Sequence, residues 1–357
     1  MSRRAGQLLA LAVSFVIALL IVEGLVRVLL PEPPILPRNV AAARYGVRRN
    51  MPDAEWRLYQ PDTYDVRVRI NADGQRDDER HAPGSTPDVY RIALLGDSFV
   101  FGYGVADSAV VSEVLERRLN SRAGTRFEIL NFGVPGFGQA EELLQYRHEI
   151  RDYRPDAVVL FYYNNDVADN AISGLFRRDD AGELSPSGSA YLPGVRLSEL
   201  MYRVPPLRWI SQHSEAWNVF RIRLAIVVKN VMRSRRGLAG PTDTEPGAAA
   251  LTAALIESLL GEAAADGAAP FLFVVPDASG RSNLPVPVDS LRARGIHVID
   301  GTSASRAGDY FANDIHWTPA GHRRAAALLT PAIRDAATGA TRDNLPATRV
   351  VESDPRR

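Results

Sequence analysis

At 357 residues the chain can hold one sizeable domain with decorations or two small ones, and its 46% hydrophobic and 24% charged content suits a globular protein. Forty-two basic side chains balance 42 acidic ones, so bulk electrostatics points to no nucleic-acid partner. Cysteine is absent, which excludes disulfides, thiolate catalysis and cysteine-ligated metals but leaves the compartment open.

The amino terminus comes first. Arg3 and Arg4 precede an apolar run from Leu8 to Val22 relieved only by Ser14. Glu23 and Arg27 interrupt a further apolar stretch reaching Leu30, and Pro31, Pro33 and Pro34 end it. A run of about 15 residues suits a signal-peptide core, whereas crossing a bilayer takes about 20. Extension to Leu30 supplies that length, with Arg27 snorkelling to the interface. No small-x-small cleavage site follows closely, so residues 1–30 read as a cytoplasmic stub and an uncleaved transmembrane anchor. Arg38, Arg44, Arg48 and Arg49 follow the span, but large domains cross regardless of such charges, and the remainder is expected outside.

Residues 31–88 read as a linker and irregular lead-in, with one half-exposed strand at Val66–Ile70, where apolar and charged positions alternate. A repeating pattern then begins. Strands are expected at Arg91–Leu95, Phe127–Leu130 and Ala157–Tyr162, with helices at Ser108–Asn120 and Gln139–Tyr153 between them. After an interruption at about 168–247, a helix at Ala248–Ala265, strands at Phe271–Val275 and Ile296–Ile299, and a helix from Thr318 to Ala337 continue it. Short apolar strands alternating with amphipathic helices predict an α/β fold, a doubly wound, flavodoxin-like parallel sheet covered on both faces. The interruption is too long for an ordinary loop. It holds a basic helix at Val219–Arg236, read as a lid, a lipid-facing element or a solvated decoration. Residues 338–357 are polar and aperiodic, and a disordered tail is expected there.

In such a sheet ligands bind beyond the carboxyl ends of the strands. That edge collects Ser98 after the first strand, Asn131 and the glycines at 133, 136 and 138 after the second, and Asn164-Asn165-Asp166 after the third. Asp314-Ile315-His316 arrives after the last, just before a helix that Thr318 can cap and Pro319 can open. These are the parts that acyl transfer needs. Serine is a weak nucleophile until a base takes its proton, imidazole titrates near neutrality, and a carboxylate must hold the imidazole tautomer. A glycine-turn N–H and an asparagine amide can serve a developing oxyanion. Asp97 reads as an Asx-type turn residue, and His322 as a surface or packing residue. His81, His148, His213 and His297 lack partners at ligand spacing, so no metal and no other cofactor is expected.

Gly96-Asp97-Ser98-Phe99 with Phe101-Gly102-Tyr103-Gly104 resembles the first block of SGNH (GDSL-type) hydrolases. Asn131 to Gly136 resembles their second block, Asn164-Asn165-Asp166 their third, and Asp314 to Trp317 through Gly321 their fifth, in order from about Asp88 to Ala337. The resemblance implies an SGNH hydrolase domain over 89–337, interrupted at 168–247. It makes Ser98 the nucleophile, His316 the base and Asp314 its partner, with an oxyanion hole from the Ser98 N–H, Gly136 and Asn165. Asn71-Ala72-Asp73-Gly74-Gln75-Arg76 and the anchor are similar to bacterial anchored members, which implies a single-pass inner-membrane protein with a periplasmic or extracellular domain. Two departures stand out. The carboxylate lies two residues before the histidine rather than three, a spacing that resembles alginate O-acetyltransferases, and the third block lacks its usual first glycine, with Tyr163 and Asn164 in that neighbourhood. The expected function is a serine esterase or deacylase acting on acyl esters, with O-acyl groups of envelope polysaccharide as the implied substrate. The alternatives are a polysaccharide O-acetyltransferase using the same acyl-enzyme and a non-catalytic glycan-binding or scaffold protein.

Overall fold

The computed structural model describes residues 3–29, 39–122, 124–179, 182–187, 200–235 and 246–343. It opens with helix α1 (Arg3–Leu29), whose segment Arg4–Leu29 is long and apolar enough to cross a membrane. Its apolar side chains are exposed along its length. Two antiparallel hairpins follow, β1 (Val40–Ala42) with β2 (Arg48–Asn50) and β3 (Glu55–Gln60) with β4 (Tyr64–Arg69). From residue 39 on, the lead-in is therefore paired structure, where the sequence predicted an irregular segment with one strand. Its short strands escape a periodicity reading, but they bury Met51, Ala54, Val68 and Ile70 around Phe101 of the main domain.

The main domain runs β5 (Val89–Leu95), α2 (Ser98–Phe101), α3 (Val111–Leu119), β6 (Arg126–Asn131), α4 (Gln139–His148), β7 (Ala157–Tyr162) and α5 (Asp166–Ser173). A small hairpin, β8 (Phe176–Arg178) with β9 (Leu184–Pro186), and helices α6 (Pro205–His213) and α7 (Glu215–Arg235) lie in the interruption. The pattern closes with α8 (Pro246–Ala265), β10 (Ala269–Val274), α9 (Val288–Ala293), β11 (His297–Asp300) and α10 (Pro319–Asp343). Helix α10 carries six residues of the expected disordered tail; the rest of that tail lies outside the described residues.

Five strands pair in parallel in the order β6-β5-β7-β10-β11. Counted along the chain this is 2-1-3-4-5, the flavodoxin-like order, with its switch point between β5 and β7. Successive residues of a strand face opposite sides, and β5 shows the consequence. Ile92 and Leu94 pack with Val111 and Leu115 of α3 and Leu329 and Ile333 of α10, whereas Ala93 and Leu95 pack with Leu143 of α4 and Leu255 and Leu259 of α8. Helix α8 is also apolar enough for a span, but its buried Leu255, Ile256, Leu259 and Leu260 mark it as a core helix of the sandwich.

Candidate active site

Strand β5 delivers its last residue to the switch point, and the chain turns at once into α2. Asp97 caps that helix, its Oδ1 accepting the Phe99 N–H at 2.9 Å, which satisfies a donor that would otherwise be orphaned. The Asx role read from the sequence holds, and Ser98 is freed from capping. Its Oγ lies 2.8 Å from Nε2 of His316, with both residues buried.

His316 stands on the loop between β11 and α10. Thr318 receives the Ala320 N–H at 3.2 Å and Pro319 opens α10, as the sequence indicated. Nδ1 of His316 bonds to Oδ1 of Asp314, and the same oxygen accepts the His316 backbone N–H at 3.0 Å. The Asp-x-His spacing thus lets one carboxylate oxygen hold both the ring and the peptide that carries it. Burial raises the affinity of Asp314 for its proton, but the hydrogen bonds and charge of His316 outweigh that and hold the carboxyl below its usual range. The imidazole is flanked by Tyr103 and Phe99, with ring centroids 4.7 and 5.6 Å away. Asp97 differs in kind: burial pushes its carboxyl up, and its Oδ2 is 3.5 Å from Ser98 Oγ, at the outer limit of a hydrogen bond.

The loop after β6 packs directly on α2. Asn131 donates to Val100 O at 2.8 Å and Ser112 Oγ at 3.0 Å, and accepts the Gly133 N–H at 3.0 Å. A Cβ on Gly133 would stand 2.2 Å from the backbone N of Phe101, so only glycine fits. Gly136 is exposed and holds a φ of +72°, the left-handed region in which a side chain is disfavoured. Asn165 precedes α5. Its Nδ2 donates to Asp169 at 2.8 Å, Asp97 also receives a hydrogen bond from its side chain, and its Oδ1 is buried without a partner. Ser98, Asp314 and His316 are therefore joined in one hydrogen-bonded chain. Gly136 and Asn165 lie on loops at the same sheet edge, the asparagine amide bound to neighbouring carboxylates.

Several supporting residues escaped sequence reasoning. From the lead-in, the Tyr64 hydroxyl stands 3.2 Å from Asp314 Oδ2 and 2.7 Å from Gln60 Oε1, and Gln60 Nε2 reaches Asn313 O at 3.3 Å. Arg48 binds the carbonyls of Pro135, at 2.9 Å, and Gly136, while Asn50 donates to Gly133 O at 2.9 Å. A signal did exist in the Asn71–Arg76 motif. Asn71 Oδ1 accepts the N–H groups of Asp73 and Gln75, both at 3.0 Å, in a turn that sends Arg76 into the protein. There the guanidinium binds the carbonyls of Phe101 at 2.8 Å, Gly102, and Val105 at 2.6 Å, with Asp107 at 3.0 Å. Two further histidines are placed by the fold. His322 takes the packing role of the two read for it, wholly buried against Trp317, and burial pushes its pKa down to about 3. His81, read as lacking partners, lies 2.9 Å from Asp77 and 2.8 Å from Glu128; burial opposes its charge, but those carboxylates raise its pKa to about 9. Among the described residues no group of three or more His, Asp or Glu is arranged to hold a metal.

Comparison with known proteins bears on this site. No protein of curated function matches the chain. Similar solved structures include a lipolytic protein of the G-D-S-L family from Desulfitobacterium hafniense, 12% identical, with a TM-score of 0.38 and coverage of 68% of this chain and 98% of that one. A GDSL-like lipase from Bacteroides thetaiotaomicron is 15% identical, with a TM-score of 0.39 and coverage of 71% and 92%. A lipase/acylhydrolase from Enterococcus faecalis is 16% identical, with a TM-score of 0.39 and coverage of 69% and 95%. Scores of this size carry no argument. Residues 92–189, which contain Ser98, Gly136 and Asn165, match the model of the GDSL-like lipase/acylhydrolase family. That match falls on the segment that builds most of the site, so this segment is similar to GDSL-like lipases/acylhydrolases, and the similarity supports an ester hydrolase.

Proposed function

We propose that the chain is a membrane-anchored serine esterase that removes acyl groups, acetyl among them, from a carbohydrate of the cell envelope. The observation that carries the catalytic part is the hydrogen-bonded chain from Ser98 Oγ through His316 to Asp314. Ser98 Oγ attacks the ester carbonyl while His316 Nε2 takes its proton, and the ionised Asp314 stabilises the imidazolium. The oxyanion is met by the Ser98 N–H at the start of α2 and the Gly136 N–H, and by the Asn165 amide once it turns from the Asp97 and Asp169 carboxylates that hold it here. Collapse returns the proton from His316 to the departing sugar oxygen and leaves an acyl-Ser98 ester. Water, deprotonated by His316, then attacks that ester, releasing the acid and restoring the serine. Carbohydrate as the alcohol and an external location rest on α1, which is suited to cross a membrane and leave the domain beside the envelope.

The test is labelling of the full-length protein in detergent with a fluorophosphonate probe, alongside turnover of p-nitrophenyl acetate and release of acetate from acetylated glycan. Labelling and turnover lost together in Ser98→Ala support the reading. A folded wild-type protein that does not label would overturn it in favour of a glycan-binding scaffold, and acetate release that depends on an added sugar acceptor would replace hydrolysis with transfer.

A further inference from the structure

Glu23 sits six residues before the end of α1, about 9 Å along the helix axis. If α1 spans the bilayer, that position lies inside the apolar thickness or at its edge, where a bare carboxylate is costly. The carboxylate is fully engaged. One oxygen accepts Arg27 Nε at 2.7 Å and the Glu215 N–H at 3.0 Å, and the other accepts Ser214 Oγ at 2.8 Å and the Ala216 N–H at 3.1 Å. Arg27 in turn donates to His213 O at 2.6 Å, the last carbonyl of α6. One ion pair of the anchor therefore caps the start of α7 and the end of α6 together, a placement favoured at both ends by the helix dipoles. The junction of the two helices is held at the depth of Glu23.

What the helices present at that depth is apolar. On α7, Phe220, Leu224, Val227 and Val231 are about half exposed and follow the spacing of one helical face, an arc of about 60° at 100° per residue. Arg223 and Arg221 flank that arc on either side. The opposite face is the docked one, where Asn218 is fully buried. Trp209 of α6, 61% exposed, adds an aromatic residue of the kind that favours the membrane boundary. An apolar stripe flanked by arginines, on a helix whose start is tied to an exposed apolar span, is the pattern of a helix lying in a lipid interface.

We propose that α6 and α7 form a second membrane contact, with the stripe of α7 lying in the headgroup region of an anionic leaflet and the Glu23–Arg27 pair holding it there. The proposal rests on reading α1 as a membrane span. Its occupant is lipid, because the pair ties the stripe to the depth at which the anchor leaves the bilayer and the arginines complement anionic headgroups.

The chain has no cysteine, so single-cysteine variants can be labelled without background. An environment-sensitive fluorophore is placed on full-length Leu224→Cys or Val227→Cys, with Val13→Cys as a probe of the span and Asp289→Cys as an aqueous control. The proteins are reconstituted into vesicles of phosphatidylcholine with phosphatidylglycerol. At positions 224 and 227 the expected result is a blue-shifted emission and loss of about half the intensity to a quencher shallow in the acyl chain, with less loss to a deep one, since such helices sit about 5–10 Å into the interface. Glu23→Ala should restore access of aqueous iodide at position 224 while position 13 stays deeply quenched. Aqueous behaviour at 224 and 227 with position 13 deep overturns the interfacial contact alone, whereas aqueous behaviour at 13 overturns the anchor beneath it. Disulfide-linked dimers of Leu224→Cys without lipid quenching would assign the stripe to a second copy and overturn the proposal.

Discussion

Asp314→Asn, set beside Asp97→Asn, tests which carboxylate serves His316. Asp314 Oδ1 accepts both the His316 ring N–H and the His316 backbone N–H. An asparagine is nearly isosteric, so the loop should keep its course, but its carbonyl carries no charge to offset the imidazolium and its NH2 can favour the wrong tautomer. The equivalent change in a serine protease lowers kcat by about 10⁴, and a loss of about 10³–10⁴ here corresponds to about 4–5.5 kcal/mol of transition-state stabilisation. Asp97 lies next to the nucleophile in sequence, yet its Oδ1 is committed to capping α2 and its Oδ2 is 3.5 Å from Ser98 Oγ. Asparagine caps a helix about as well as aspartate, so removing its charge should leave stability within about 0.5 kcal/mol, with at most about a tenfold effect on rate. Burst and steady-state kinetics with p-nitrophenyl acetate, after thermal melts confirm folding, separate the two. If Asp314→Asn stays within tenfold of wild type while Asp97→Asn loses a thousandfold, the assignment of Asp314 is wrong.

Other expectations follow from the same geometry. Tyr64→Phe removes a hydroxyl shared between Asp314 and Gln60, so kcat/KM should fall by about three- to tenfold, or 0.7–1.4 kcal/mol, while melting changes little; an unchanged kcat/KM would leave Tyr64 no positioning role. Gly133→Ala drives a Cβ into the backbone of α2 and should cost about 1–3 kcal/mol in denaturant midpoints, with turnover lost in step. His322 has a folded-state pKa of about 3 against about 6.5 in the unfolded chain, so the unfolded state binds more protons between those values. Its stabilising effect is complete above about 6.5 and falls as pH drops, at up to about 1.4 kcal/mol per pH unit, so His322→Phe should flatten the acid limb of unfolding free energy. His81 has the opposite sign: its contribution is present below about 6.5 and fades as pH rises through about 9, so His81→Gln should flatten the alkaline limb.

The middle of the sheet could be read from the sequence because β7 and β10 are buried on both faces and write themselves as unbroken apolar runs, as in Ala157–Tyr162. The serine, histidine and aspartate were legible for a related reason: each falls where an apolar strand ends or a capped helix begins, and those boundaries have short-range signatures. What holds them in place was not. Tyr64 and Asp314 are 250 positions apart, and Arg48 meets Gly136 across 88. No local pattern reports such a pairing. The lead-in strands have three to six residues and half-exposed faces, so neither length nor alternation separated them from a linker. The missed partner of His81 shares this origin, since its contact with Glu128 is a property of the fold.

The lead-in also determines where the catalytic unit begins. The resemblance placed that boundary near residue 89, but the contacts argue for 39. A chain begun at Val89 would lack Arg76, and the carbonyls of Phe101, Gly102 and Val105 would lose the guanidinium that satisfies them. Each buried acceptor left unpaired costs about 1–3 kcal/mol. The same cut removes Val68 and Ile70 from Phe101, Asn50 and Arg48 from the glycine loop, and Tyr64 from Asp314. Several such losses together are comparable to the whole stability of a domain, about 5–15 kcal/mol. A chain begun at Asn39 keeps all of these contacts and, among the described residues, gives up those of α1 with the α6–α7 junction. The expected outcome is therefore a soluble, fluorophosphonate-reactive protein from 39–357 and an aggregated or unreactive one from 89–357. Equal melting temperature and labelling in the two would mean that the hairpins are a covering and that the site stands without them.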